Sequence, residues 1–310
     1  MKYVTATAFR RALEDRLLVR SHETGLSLSR LRKEVAFDRF LARLLDVAPG
    51  RWVLKGGLAL DYRFGDRART TRDVDLAMAG DEESATASLL DAQAADLGDF
   101  FMFTIERTAK LDELQEGAAV RYRARAELAG RLFEEFVIDV GFDSPTDAGV
   151  EVLRGPDLLG FAEIPPVEAP ALALELQVAE KLHAYTREYG HASVKSTRVK
   201  DLVDLVLIAT SRSLDAAALR SAVDHTFAGR GLHGVPEALP DPPADWRVPF
   251  RRMANEVGLE ENLDAGHQVA SLLVDPILDG STPRGVWDPV RTRWTPEKRG
   301  SGRRGPPRQR

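Results

Sequence analysis

Cysteine is absent from this sequence of 310 residues, which excludes disulfides, thiolate zinc sites and cysteine nucleophiles. Long apolar runs are absent too, and none approaches the ~18 residues that a helix needs to cross a bilayer. The N-terminal segment from Met1 to Arg20 alternates charged and apolar side chains and contains no secretory apolar segment. From these absences we expect a cytoplasmic protein with no membrane contact.

Metal-ligand spacing is missing among the six histidines, so the sequence predicts no zinc site. An excess of positive charge is missing as well: the net charge is -5, which argues against strong non-specific binding of nucleic acid. The chain does have the length for two domains and an apolar fraction of 44%, which is ordinary for a protein with a sizeable core.

Two helices are predicted between Thr5 and Val47, with Thr5 or Thr7 as a cap of the first. The second is predicted to begin after Ser27 and Ser29. Both helices carry basic side chains, which either form a solvated helix surface or help to hold an RNA backbone. These basic residues are Arg10, Arg11, Arg16, Arg20, Arg30, Arg32 and Lys33.

The chain is organised around the stretch from Arg51 to Ala79. An apolar run there ends at Gly56 and Gly57, and the next residues have helical apolar spacing. This pattern predicts a strand, a glycine turn and a helix. Adjacent glycines at a helix start allow the backbone to approach a ligand closely, and the free N–H groups favour a phosphate.

Two aspartates open the next predicted strand. Asp73 and Asp75 are two positions apart, so both side chains point to one face while Val74 and Leu76 enter the core. Two carboxylates at that spacing repel each other unless a cation lies between them. Oxygen ligands of this kind suit Mg²⁺, which binds one or two carboxylates together with substrate phosphates.

A hairpin is predicted further along, with strands at residues 118–128 and 132–142. The first strand places Arg121, Arg123 and Arg125 on one face, either as an exposed basic surface or as a surface for phosphates. The second strand carries Asp139 between two apolar residues, so this carboxylate is at least partly buried and needs a compensating partner. Any one of the many arginines in the sequence is a candidate for that partner.

The glycine pair, the spacing of sixteen positions from Gly57 to Asp73, and the D-x-D strand together resemble the DNA polymerase beta-like nucleotidyltransferase superfamily. The motifs GG-L-A-L and T-R-D-V-D-L are similar, more closely still, to the AbiEii/MenT-type toxins of bacterial toxin-antitoxin systems. The resemblance implies an α+β fold, in which a nucleotidyltransferase domain with a small mixed sheet precedes an α-helical C-terminal domain. It also implies a third metal carboxylate on a neighbouring strand, and Asp139 is the candidate.

Helices are predicted again from Leu172 onward, and they include the segments EKLHA and RVKDLVDL. These segments resemble the helical half of the same toxin family, which carries a lysine and, about twenty residues later, a K-D-x-x-D segment. The resemblance implies that Lys181 contacts the nucleotide phosphates. It implies that Asp201 is an additional essential acid, which orients Lys181 or an arginine. Asp204 is either a partner of these groups or a helix-surface charge.

The sequence predicts three parts. Residues 1–165 form the nucleotidyltransferase domain with the N-terminal helices, and residues 166–290 form the helical C-terminal domain. Residues 291–310 form a disordered basic tail, which either binds phosphate backbones or aids solubility.

The resemblance implies transfer of a nucleoside monophosphate from an NTP, with CTP or UTP favoured, to a tRNA 3′ end, so that aminoacylation is blocked. It implies Mg²⁺ or Mn²⁺ as cofactor, bound by Asp73, Asp75 and Asp139, and a cognate antitoxin as partner. Thr71, or Thr70 beside it, is the expected site of a silencing modification. The alternatives are transfer to a protein or a small molecule, and a catalytically inactive nucleotide-binding module. The expected nucleotide-binding residues are Lys55, Gly56, Gly57, Thr71, Arg72 and Lys181.

Overall fold

A computed structural model describes residues 1–110, 119–142, 149–187 and 198–296. The chain divides into two compact units. The first unit comprises Met1–Gln177 and Met253–Gly258, and the second comprises Val178–Arg252 and the chain from Leu259 onward. The predicted domain boundary at residue 165 stays a prediction, and the division between the units falls within a helix that begins at Leu174.

Two helices open the first unit, as the sequence predicts. Helix α1 spans Ala6–Thr24, and the hydroxyl of Thr5 accepts a hydrogen bond from its first turn. Helix α2 spans Leu28–Val47 and is capped in the same way by Ser27. Capping hydroxyls satisfy backbone N–H groups that have no partner within the helix, so these residues fix where each helix starts.

A mixed sheet of seven strands forms the centre of the first unit, which confirms the predicted α+β fold. Its strand order is β3-β4-β5-β2-β1-β7-β6. Helix α3 (Gly56–Phe64) follows β1, and helix α4 (Glu82–Ala94) follows β2. The strands are β1 (Trp52–Lys55), β2 (Asp73–Met78), β3 (Phe101–Lys110), β4 (Ala119–Leu128), β5 (Arg131–Gly141), β6 (Val150–Arg154) and β7 (Glu168–Leu172).

The two faces of this sheet differ in polarity. Helix α2 packs against one face, where the rings of Phe37 and Phe40 lie 5.0 and 5.7 Å from the ring of Phe136 on β5. Val74 and Leu76 of β2 are buried, as the alternation predicts. The opposite face therefore carries the polar side chains of β2, β4 and β5.

The basic side chains of α1 and α2 mostly form bonds within the first unit. Arg10 donates to three backbone carbonyls at the β4–β5 turn, at 2.7 to 2.9 Å. Arg30 is buried and forms ion pairs with Glu34 and Asp61 at 2.9 and 3.1 Å. Arg10 and Arg30 thus tie the helices to the rest of the unit, whereas Arg11 and Arg16 are exposed on α1, as the solvated-surface interpretation expects. Contact with RNA stays a prediction. Arg20, Arg32 and Lys33 pair with Asp66, Glu14 and Glu134 respectively.

The second unit is built mainly of helices. Helix α5 (Leu174–Thr186) enters it from the first unit, and helix α8 (Arg247–Glu256) returns to the first unit at Met253. Helices α6 (Val199–Ala209), α7 (Ala216–Arg230) and α9 (Leu263–Leu278) lie between and after them, followed by strands β8 (Val286–Asp288) and β9 (Arg293–Thr295).

Ordered structure extends past residue 291, where the sequence predicts a disordered tail. Strand β9 pairs with β8, and the indole N–H of Trp294 donates to the carbonyl of Leu273 at 3.0 Å. The large aromatic side chain of Trp294 provides this contact, although the polar composition of residues 291–310 predicted disorder. Residues 297–310, with the remaining arginines of the predicted tail, lie outside the described residues.

Candidate active site

Three carboxylates meet on the polar face of the sheet. Asp73 and Asp75 project from β2, and Asp139 projects from β5, which pairs in parallel with β2 so that Asp75 lies opposite Asp139. One oxygen atom from each of the three carboxylates lies within 4.8 Å of the other two. The structure therefore brings together the three residues that the sequence analysis named as metal ligands.

The donor set fits a hard divalent cation. Ligand oxygens on opposite sides of an octahedral Mg²⁺ lie about 4.2 Å apart, because each lies about 2.1 Å from the ion. The upper limit of 4.8 Å on the distances within the cluster is close to this value, so at most small side-chain adjustments would allow all three carboxylates to bind one ion. The residues present thus suit the divalent metal that nucleotidyltransferases in general use.

Gly56 makes the closest backbone approach to this cluster. Its φ of +64° is a left-handed conformation that favours glycine. A Cβ atom at this position would lie 1.8 Å from Oδ2 of Asp75. At Gly57, a Cβ atom would lie 2.6 Å from the hydroxyl oxygen of Thr71. The glycine pair is therefore required by sterics, since it lets helix α3 start directly against the carboxylates.

Lys55 and Thr71 also lie at the site. Lys55 is opposite Asp75 in the β1–β2 pair, and its Nζ lies 3.2 Å from where a Cβ atom at Gly141 would be. The hydroxyl of Thr71 is buried and donates to Oδ1 of Asp73 at 3.1 Å. Arg72, between Thr71 and Asp73, is exposed. Of the predicted nucleotide-binding residues in the first unit, Lys55, Gly56, Gly57 and Thr71 thus lie close to the carboxylate cluster.

Arg121 on β4 is a member of the site whose contact the sequence analysis did not assign. Its Nε and Nη2 donate to the two oxygens of Asp139, each at 2.8 Å. These hydrogen bonds, together with the charges of Asp139, Asp73 and Asp75, raise the pKa of Arg121 against the opposing effect of burial. The sequence signal for this residue was the series of arginines at alternate positions in β4. The antiparallel register that sets Arg121 opposite Asp139 could not be derived from it.

Gln177 on α5 is a second residue that the sequence analysis missed. It is buried, and its amide nitrogen donates to the backbone carbonyl of Gly56 at 2.6 Å. Its amide oxygen accepts from Arg63 of α3. Gln177 therefore holds the start of α3 in position. It lies 121 residues after Gly56 in the sequence, and no local pattern predicted the contact between the two.

Glu256 also contacts the loop before β2. Residues Met253–Gly258 belong to the first unit, and the carboxylate of Glu256 accepts hydrogen bonds from the backbone N–H and the hydroxyl of Thr70. The backbone N–H bond is 2.8 Å long. The hydroxyl of Thr70, the alternative modification site, is thus bound to a carboxylate outside the cluster.

Lys181, Asp201 and Asp204 meet in the second unit. Nζ of Lys181 lies 2.6 Å from Oδ2 of Asp204 and 3.7 Å from Oδ1 of Asp201, and all three side chains are buried. Asp204 is therefore a partner of Lys181 and not a helix-surface charge. Asp201 also lies 3.5 Å from Nη1 of Arg198, so it contacts both kinds of cation that the sequence analysis considered.

Three clustered carboxylates on adjacent strands, beside a glycine turn that starts a helix, define the site of a polymerase beta-like nucleotidyltransferase. The family is shown by a sequence model described as "Nucleotidyl transferase AbiEii toxin, Type IV TA system", which matches residues 39–271. The chain belongs to this family, and it is a nucleotidyltransferase of a toxin-antitoxin system. The family implies a nucleotide substrate and an antitoxin partner. No curated protein matches the chain.

A solved structure supports the fold. The chain is similar to MenT4, a nucleotidyltransferase toxin from Mycobacterium tuberculosis, with 21% identity, a TM-score of 0.56, and coverage of 85% of this chain and 89% of that one. It also matches JHP933 from Helicobacter pylori, with 16% identity, a TM-score of 0.47, and coverage of 81% and 95%. A nucleotidyltransferase from H. pylori matches with 18% identity, a TM-score of 0.46, and coverage of 83% and 99%. Among the described residues, no helix has the length and apolar character to span a membrane.

Proposed function

We propose that the protein transfers a nucleoside monophosphate from CTP or UTP to the 3′ end of tRNA, and so blocks aminoacylation and translation. The carboxylate cluster is the observation that carries the transfer step, because three oxygen ligands within 4.8 Å suit the metal chemistry of nucleotidyl transfer. The tRNA acceptor and the pyrimidine base follow from the resemblance to the toxin family. Because tRNA is the proposed acceptor, we propose that the reaction takes place in the cytoplasm.

In this proposal Asp73, Asp75 and Asp139 hold Mg²⁺, or Mn²⁺ in its place. A bound divalent ion supplies Lewis-acid stabilisation of the attacking and leaving oxygens. Asp139, which lies on the polar face of β5, also helps to activate the acceptor hydroxyl.

The nucleotide is held by groups beside the cluster in the first unit and, as the resemblance to the toxin family implies, by Lys181. The N-terminus of α3 at Gly56 and Gly57 offers backbone N–H groups to the triphosphate, and Lys55 and Arg72 add positive charge. Lys181 neutralises charge on the phosphates, and Asp201 and Asp204 set the position of its ammonium group.

Thr71 is the proposed site of a silencing modification. Its hydroxyl donates to Asp73, so a phosphoryl or nucleotidyl group there would put further negative charge beside a metal ligand. The hydroxyl is buried, so modification requires the loop before β2 to open.

The test is incubation of the purified protein with each labelled NTP in turn, Mg²⁺ and total tRNA. Label from CTP or UTP should enter RNA, and periodate oxidation of the tRNA 3′ end should prevent it. Asp73→Asn should remove the activity, whereas Asp46→Asn, an exposed carboxylate on α2, should retain it. Labelling of protein alone would replace the tRNA acceptor by a protein, and no labelling of any acceptor would reject the proposal.

A further inference from the structure

Arg121 contacts the carboxylate cluster through two hydrogen bonds to one carboxylate, unlike an ordinary cation on a protein surface. Its two hydrogen bonds to Asp139 have the parallel, two-point geometry that fixes both the position and the plane of a carboxylate. Asp139 is only 16% exposed, and Arg121 is 39% exposed. The guanidinium therefore lies at the rim of the site and reaches into it.

The cluster needs positive charge in order to form. Three carboxylates with oxygens within 4.8 Å repel one another strongly, and the repulsion is larger in a partly buried site than in water. Arg121 supplies one permanent positive charge to them, because a guanidinium does not lose its proton in proteins. A divalent ion bound by the same carboxylates would be attracted by the same negative charge that attracts Arg121, and Arg121 would repel it.

We propose that Arg121 is a built-in counter-ion of the carboxylate cluster and the positioning residue of Asp139: it fixes the plane of Asp139 and competes electrostatically with the divalent ion. This inference rests on the proposed function, in that it takes Asp73, Asp75 and Asp139 as the metal ligands. It assigns to Arg121 a role through Asp139, and not contact with the reacting atoms.

The two parts of this role have opposite effects when Arg121 is replaced. Arg121→Met keeps an unbranched apolar side chain in place of the aliphatic part of arginine and removes the charge, so a divalent ion should bind on the order of tenfold more tightly, as expected for one charge removed several ångströms from the ion. The same variant releases the plane of Asp139, so nucleotidyl transfer at saturating metal should become slower by about tenfold or more. Tighter metal binding with slower transfer is a combination that loss of structure would not produce.

The measurement is Mn²⁺ binding by electron paramagnetic resonance, in the full-length protein and without nucleotide. Arg121→Lys keeps the charge and loses the two-point contact, so its Mn²⁺ affinity should stay close to that of the wild type while its transfer slows. The matched control is Arg123→Met, on the same face of β4 but opposite Val137, which should leave Mn²⁺ affinity unchanged. Equal or weaker Mn²⁺ binding by Arg121→Met, or equal tightening in Arg123→Met, would overturn the inference.

If Arg121→Met is less stable than the wild type, urea unfolding with and without Mn²⁺ still tests the inference. By linkage, the gain in stability from a fixed Mn²⁺ concentration should be larger in Arg121→Met than in the wild type. An equal gain would overturn the inference. Failure of the metal assignment gives a different result: the wild type and all variants would then bind no Mn²⁺, and Asp73→Asn would behave like the wild type. Failure of the proposed acceptor alone would leave Mn²⁺ binding intact and would show as an absence of label in RNA.

Discussion

At the scale of the residue, Gly56 is where the backbone closely approaches the carboxylate cluster. Gly56→Ala should destabilise the protein by roughly 2–5 kcal/mol, because a left-handed alanine costs about 1–2 kcal/mol and the new Cβ atom would also overlap Asp75. Mn²⁺ binding should weaken in parallel, since Asp75 has to move. Urea unfolding and metal titration measure the two effects.

Gly50 provides the control for this substitution. Its φ is +71°, close to that of Gly56, but no atom lies within 4 Å of where its Cβ would be. Gly50→Ala should therefore cost only about 1–2 kcal/mol and leave Mn²⁺ binding unchanged. Equal losses in both variants would show that backbone conformation, and not the approach to Asp75, makes Gly56 necessary.

His183 makes the second unit sensitive to acid. Burial, and to a smaller extent the charge of Arg230, lowers the pKa of His183 from 6.5 to about 4. Folding therefore favours the neutral imidazole: the stability it contributes is complete above about pH 6.5 and is lost as the pH falls towards 4. His183→Leu should lose less stability than the wild type between pH 7 and pH 4.5, as measured by thermal unfolding.

His225 is the comparison for His183, because it is exposed on α7. His225→Leu should lose stability with falling pH in the same way as the wild type. If His183→Leu also follows the wild-type curve, then acid acts on the protein through other groups.

At the scale of the element, the buried ion pair of Lys181 and Asp204 joins α5 to α6. Asp204→Ala leaves the ammonium buried without its nearest partner and should cost about 3–5 kcal/mol in unfolding free energy. The double variant Lys181→Met with Asp204→Leu should recover part of that loss, because neither charge of the pair remains and Asp201 keeps Arg198 as a partner. A double variant no more stable than Asp204→Ala would refute this account.

The same double variant separates stability from catalysis. If Lys181 neutralises phosphate charge, the refolded double variant should still transfer no nucleotide. Activity in a folded double variant would restrict Lys181 to a structural role.

Periodic patterns predicted the elements of this fold well. Polar and apolar residues alternate around Asp73 and Asp75, and arginines occupy alternate positions in β4. These patterns predicted which side chains share a face, and the structure contains both strands. Pairings between distant segments could not be predicted in this way. The contact of Arg121 with Asp139 depends on strand register, and the contact of Gln177 with Gly56 depends on where α5 begins. The local sequence encodes neither.

At the scale of the whole molecule, the two units should respond to different conditions. Mn²⁺ should increase protection from hydrogen exchange in peptides that cover β2 and β5, because the ion binds only the folded cluster. A shift from pH 7 to pH 5, corrected for intrinsic exchange rates, should lower protection in α5 and α7, which surround His183.

Asp73→Asn separates these two responses. It should abolish the effect of Mn²⁺ on the first unit and leave the effect of pH on the second unit unchanged. Loss of both effects in this variant would show that the two units unfold as one.

The parallel pairing of β2 with β5 has a consequence for how the toxin is made. Asp75 and Asp139 are brought together only by that pairing, and a shift of one residue would turn Asp139 to the buried face. A ribosome delivers Asp73 and Asp75 first, and the third carboxylate follows only after β3 and β4 have been synthesised. With the metal site proposed above, the nascent chain cannot modify any substrate until β5 has emerged and paired, so the cell that synthesises the toxin is protected from incomplete copies of it.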